Sequence, residues 1–177
     1  LYIKIKNLAL LQLEDDFTEY IVELKKMYLD KNIFIVAKDD FFYGLSEDDK
    51  IVLKGLGLQF DYVDAYRKAY LAVVEGGEVK YESLSDEKLV YEDVTSNGHK
   101  YNLLSSGWLE GADAQIQIDD VQYAVNSRGL NIVVYDDDLD IVLDSVCFDT
   151  HAERHARLHD GRSSLNLKEY EYLLTFT

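Results

Sequence analysis

The stretch NSRGLNIVVYDDDLDIVLDSVCFDTH, residues 126–151, sets two apolar runs of strand length about an acidic turn. Arg128-Gly129 opens the first run and Phe148-Asp149-Thr150 closes the second. β-Branched residues dominate both runs and Asp is favoured in turns, so the stretch reads as an antiparallel pair of strands. An arginine at the mouth of a buried strand is either a surface accident or a reader of a polar ligand.

Working outward, AQIQIDDVQYAVN alternates through a second hairpin, and KLVYEDVTSNGHKYNLLSSG reads as a third around Asn97-Gly98. That pair most readily supplies the two positive φ values of a type I′ turn. KAYLAVVEGGEVKYE reads as two strands joined at Gly76-Gly77. Nearer the start, DFTEYIVELKKMYLD places Phe17, Ile21, Leu24 and Tyr28 at helical spacing, with Asp16 and Glu19 at the ends of a capping box. NIFIVA (32–37) has strand length, and SEDDKIVLKGLG reads as a short helix with Ser46 as N-cap and a glycine stop. LYIKIK (1–6) alternates like an edge strand, and the terminal NLKEYEYLLTFT is expected to pair with it, because chain ends often lie close. The expectation is a single α+β domain over residues 1–177: a two-layer, mostly antiparallel, sandwich-like β structure with two or three short flanking helices.

Composition narrows the function. Thirty-four acidic against eighteen basic residues give a net charge of −16, which repels phosphate backbones and anionic membranes and argues against a nucleic-acid partner. No run reaches membrane-spanning length, so no membrane insertion is expected. The chain opens on Leu1 without signal-peptide features, and a fragment or module of a larger protein is the expectation. Cys147 is the one cysteine, set in a strand-like DSVCFDT. It reads as a buried inert thiol, and the lack of any cysteine pair favours a cytoplasmic or otherwise reducing compartment.

Chemistry-bearing patterns are few. Asp39-Asp40, Asp48-Asp49, Asp119-Asp120 and Asp136-Asp137-Asp138 fall at element ends, where turn formation and solvation account for them. DDDLD lacks the spaced ligands of a calcium loop. His151, His155 and His159 stand four apart and would line one helical face, but a row about 12 Å long at helical rise lets at most two share an ion. No nucleophile elbow, phosphate loop or dinucleotide fingerprint is present, and no catalytic residue, metal or cofactor is assigned. The arginines say more. Arg67 and Arg128 each precede an apolar strand and Asp39 follows one, so two guanidiniums and a carboxylate at neighbouring strand ends would suit a polyol. A structural ion pair is the alternative.

At these residues the sequence resembles the interleukin-like EMT-inducer domain, shared by the secreted pancreatic-derived-factor family and the stem domain of a protein O-mannose N-acetylglucosaminyltransferase. SRGLNIVVYDDDLDIVLDSVCFDTH is similar to that family's Arg-Gly strand, turn and Phe-Asp strand. FTEYIVELKK, NIFIVAKDDFFYGLSEDDKIVLKGLG and YRKAYLAVVEGG resemble its helix, acid-terminated strand, second helix and arginine-led strand. The segments stand in a different order here, which implies a circular permutation. The resemblance implies a noncatalytic carbohydrate-binding module attached to polysaccharide or glycan synthesis or modification machinery. Its ligand residues would be Arg128, Asp39 and Arg67, with Gly129, Asp40 and Tyr66 beside them and Tyr43 or Tyr66 stacking on a pyranose. Glycan and neighbouring domains of the same protein are the expected partners. A protein-interaction or cytokine-like signalling domain without a sugar site is the alternative.

Overall fold

NIFIVA sits at the centre of the molecule, and its unbroken apolar character follows from burial on both faces. The structure, a computed structural model, describes residues 1–158 together with 172, 174 and 175. Central strand β1 (Asn32–Asp39) belongs to a larger sheet with β2 (Ala69–Glu75), β3 (Glu78–Ser85), β8 (Gly129–Asp136), β9 (Ile141–Phe148) and β10 (Arg157–Leu158), in the order β10-β9-β8-β1-β2-β3. All these neighbours pair antiparallel. A smaller antiparallel sheet contains β4 (Leu89–Val94), β5 (Lys100–Gly107), β6 (Ala114–Ile118) and β7 (Val121–Gln122). The two are stitched by one short parallel contact, Lys38 to Ser106 and Asp39 to Gly107.

Side chains alternate across the large sheet. Ile33, Ile35, Tyr70, Ala72, Ile132 and Val134 point into a core covered by α1 (Tyr2–Leu13), α2 (Phe17–Met27) and α3 (Glu47–Gly55). Phe34, Val36, Leu71, Val73, Val133 and Tyr135 point the other way, onto Tyr101, Leu103, Ile116 and Ile118 of the small sheet. The molecule is thus an α+β sandwich of two sheets with helices on the outer face of the larger one. Among the described residues no helix is long and apolar enough to cross a membrane.

Both helices predicted from spacing are present with their predicted caps. Asp16 accepts from the Glu19 N–H, although Glu19 does not reciprocate as the capping box would require. Ser46 and Asp49 form a full capping box, and Gly57 leaves α3 with φ 96°. The first residues differ from expectation: LYIKIK opens helix α1 and is not an edge strand. Leu8 and Leu11, three apart, are fully buried under that helix, and each contributes about 2 kcal/mol of apolar burial. The Arg157 guanidinium also donates to the Leu11 and Glu14 carbonyls at the helix end. Six alternating residues cannot outweigh this tertiary anchoring. The terminal segment that was to pair with LYIKIK lies largely outside the described residues, and its described members Tyr172, Leu174 and Thr175 are helical.

The β4–β5 connection is also different. Gly98 alone has positive φ, at 88°, while Asn97 donates from its backbone to the Asp137 carboxylate and from its side chain to the Asp137 carbonyl. Two-residue turns with both central φ values positive occur instead at Asp119-Asp120, at 48° and 67°, and at Gly76-Gly77, at 60° and 83°, where the two strands were expected to join.

Among the described residues the histidine segment forms no helix. Asp149 donates to the Ala156 carbonyl and Arg157 pairs with Phe148, so residues 149–157 make a tight return beside β9, and neither Asp149 nor Thr150 caps a helix. His151 and His155 are consequently turned to different acids, and His159 lies outside the described residues. His155 Nδ1 faces the Ala152 carbonyl at 2.7 Å and Nε2 faces the Asp49 carboxylate at 2.7 Å. Two acceptors require two N–H donors, so the ring is an imidazolium. Burial opposes its charge, but Asp49 wins and lifts the His155 pKa above 6.5; against the same opposing burial, His155 and Ser46 hold Asp49 below 3.8. The pair therefore stabilises fully between about pH 4 and 6.5, weakens as pH rises through the raised histidine value, and weakens on the acid side as pH falls through the lowered aspartate value. Urea titrations from pH 6 to 9 are expected to show falling stability for the native chain. In His155→Gln the midpoint at pH 6 drops by the equivalent of about 3 kcal/mol and this alkaline decline flattens; a parallel decline in the variant would remove His155 from the linkage.

Candidate functional site

The candidate site forms where β1 leaves its partner β2. Their register ends at Val36 opposite Leu71, and β5 moves in beside Lys38 and Asp39. Ser105 fills the divergence: its hydroxyl donates to the Ala37 carbonyl and accepts from the Tyr70 N–H. Gly107 is required here because a Cβ would lie 2.0 Å from the Arg67 carbonyl oxygen. The starts of β2 and β8 and the ends of β1, β5 and β9 thus converge on one rim.

Asp39 and Arg67 emerge at that rim with left-handed backbones, φ 63° and 58°. A positive φ is uncommon for arginine and marks a locally over-determined conformation. Its determinant is Asp40, whose side chain is fully buried. One Asp40 oxygen accepts from the Arg67 N–H at 2.8 Å. The other accepts from the Tyr43 N–H at 3.0 Å and faces His151 Nδ1 at 2.7 Å. Asp40 is therefore an internal clasp and presents no oxygen to a ligand.

Around this clasp the surface is aromatic. Tyr43, Tyr66 and Trp108 are 71%, 44% and 53% exposed. The Arg67 guanidinium lies 5.0 Å from the Tyr66 ring and 5.4 Å from the Trp108 ring. Tyr66 stacks on His151 at 6.4 Å and Tyr43 approaches both rings, at 5.9 Å and 5.4 Å. Among the described residues the Arg67 guanidinium forms no hydrogen bond or ion pair, and the half-buried Asp39 carboxylate accepts no hydrogen bond. Opposite hydrogen-bonding characters thus stand uncommitted beside exposed rings.

Arg128 is differently placed. Its Nε and Nη2 form a two-point pair with Asp149, at 2.9 and 2.7 Å, which raises the arginine and, against the opposing burial, holds the Asp149 carboxyl below its usual value. Half of its donor edge is spent on a structural pair, and the fields of Asp39 and Asp40 also reach it. Gly129, at φ 112°, admits the backbone of β9: a Cβ would stand 2.0 Å from the Phe148 carbonyl oxygen. Phe148 is fully buried, and Cys147 is buried with its thiol pushed up by desolvation, as expected of an inert core cysteine.

The six predicted residues Arg128, Asp39, Arg67, Gly129, Asp40 and Tyr66 therefore share one end of the sheets. Asp39, Arg67 and Tyr66 face outward, Arg128 in part, and Asp40 and Gly129 shape the frame. Trp108 and His151 were missed. The chain's sole Trp follows a Ser-Ser-Gly strand end, a pattern that could have marked it. No protein-family model matches the chain, and comparisons with curated proteins and with solved structures likewise find no match.

Asp40→Ala removes the acceptor for two backbone N–H groups and one imidazole. Chemical denaturation is expected to show a loss of about 3 kcal/mol, whereas Asp39→Asn, which breaks no hydrogen bond among the described residues, stays within about 0.5 kcal/mol.

Proposed function

We propose that the chain is a noncatalytic carbohydrate-binding module and that the Asp39–Arg67 rim is its sugar site. The supporting observation is the coincidence of an uncommitted guanidinium and an uncommitted carboxylate with three exposed aromatic rings. Vicinal hydroxyls both donate and accept, so Asp39 takes hydrogen bonds from a sugar and Arg67 gives them. The apolar face of a pyranose needs a flat partner, which Tyr66, Tyr43 or Trp108 supplies. Arg128 contributes the edge not used by Asp149. Such a module would serve as the recognition part of a larger protein that makes or modifies polysaccharide or glycans.

A glycan array probed with the native chain and with Arg67→Ala tests this. Binding to a defined glycan class is expected, with a loss of tenfold or more in Arg67→Ala and in Asp39→Asn, and with circular dichroism unchanged. Tyr66→Ala is expected to cost about 1 kcal/mol of affinity through lost stacking. Retained binding in both polar variants would move the site elsewhere, and no binding by the folded native chain would favour the protein-interaction reading.

A further inference from the structure

The opposite ends of β5 and β8 carry a second constellation. Three separate connections meet there: residues 95–99 between β4 and β5, Asp119-Asp120 between β6 and β7, and residues 137–140 between β8 and β9. Each delivers one donor. His99 Nδ1 lies 2.6 Å from Asp119 Oδ2 and 3.7 Å from Asp140 Oδ1, and the three donor atoms all lie within 4.8 Å of one another.

We infer that His99, Asp119 and Asp140 form a binding site for a divalent transition-metal ion of the zinc type, bridging the turns of both sheets. One imidazole nitrogen with two carboxylate oxygens is a set that zinc accepts, completing its shell with water. The imidazole disfavours calcium and magnesium, which take oxygen ligands. An ion about 2.1 Å from each donor holds tetrahedral ligands about 3.4 Å apart. The His99–Asp140 separation is close to that value, and the His99–Asp119 contact needs to open by less than 1 Å, a small movement for half-exposed side chains.

The ligands are also held from behind. The Lys100 N–H donates to the other Asp119 oxygen at 3.2 Å, and the Tyr135 hydroxyl donates at 2.6 Å to Asp140 Oδ1 itself, leaving the second lone pair of that oxygen for the ion. The turn bearing His99 is fixed to the β8–β9 turn through Asp137, which accepts from the Thr95 hydroxyl and the Asn97 N–H. Outer contacts of this kind orient metal ligands. The imidazole distinguishes this cluster from the acidic turns around it. The ordinary alternative is a His99–Asp119 ion pair with Asp140 nearby.

Isothermal titration of the native chain with Zn2+, after treatment with chelator, tests the assignment alongside His99→Ala and Asp140→Asn. Asn tolerates the left-handed backbone of Asp140, so the second variant preserves the turn. A single strongest site is expected, weakened tenfold or more by either substitution, and Co2+ in its place is expected to give the visible absorption of a low-coordinate centre with nitrogen and oxygen ligands. Equal Zn2+ binding by the native chain and both variants would overturn the assignment by placing the ion elsewhere, and the absence of binding would overturn it outright.

Discussion

The candidate sugar site rests on a carboxylate that never meets solvent. Asp40 stands immediately after the central strand, and burying an ionised carboxylate costs several kcal/mol unless its lone pairs are filled. Two backbone N–H groups and one imidazole fill them. Those donors belong to the segment after β1, the segment before β2 and the return after β9, so one buried charge fixes three otherwise independent loops. Gly44 completes the clasp: its N–H donates to the Thr150 carbonyl, and a Cβ there would fall 2.2 Å from the Ala152 oxygen. The entropy of ordering the rim is thus met during folding, which leaves less to be met when a ligand arrives.

The same economy appears in the large sheet. Because helices cover one face and the small sheet the other, β1, β2 and β8 read as continuous apolar runs, and the sequence reveals them plainly. Strands of the small sheet are half-exposed and alternate, which is equally legible in AQIQI and LVYEDV. Helix α1 was hidden for a physical reason. Its first six residues mimic a strand, and its helical state depends on Leu8, Leu11 and Arg157, the last distant in sequence. The Asn97-Gly98 turn was misassigned because Asn97 satisfies itself on Asp137, a partner that no local pattern displays.

Arg67, Asp39 and Arg128 could be singled out because scarce arginines at strand mouths are visible in a chain dominated by acids. Their convergence required knowing that β5 wedges between diverging neighbours, which depends on long-range pairing. Nor could their different states be read. Arg67 keeps its guanidinium against aromatic rings, whereas Arg128 is held by Asp149 at the end of β9. Adjacent aspartates proved equally unlike each other: Asp39, with its left-handed backbone, faces the rim while Asp40 becomes the clasp.

The two poles of the molecule differ in charge balance. Lys38, Arg67 and Arg128 meet Asp39, Asp40 and Asp149 at the rim, while Asp119, Asp120 and the aspartates of 136–140 gather at the other end. Eight-residue strands separate them by roughly 25 Å, several times the screening length of about 8 Å at physiological ionic strength. A cation bound at the acidic pole would therefore change the field at Arg67 very little. It would instead tie three turns spanning both sheets, so its influence on the Arg67 rim would have to travel along β5 and β8. At that separation, with no side-chain partner common to both, substitutions at the two ends are expected to add, as energetically separate features of one scaffold.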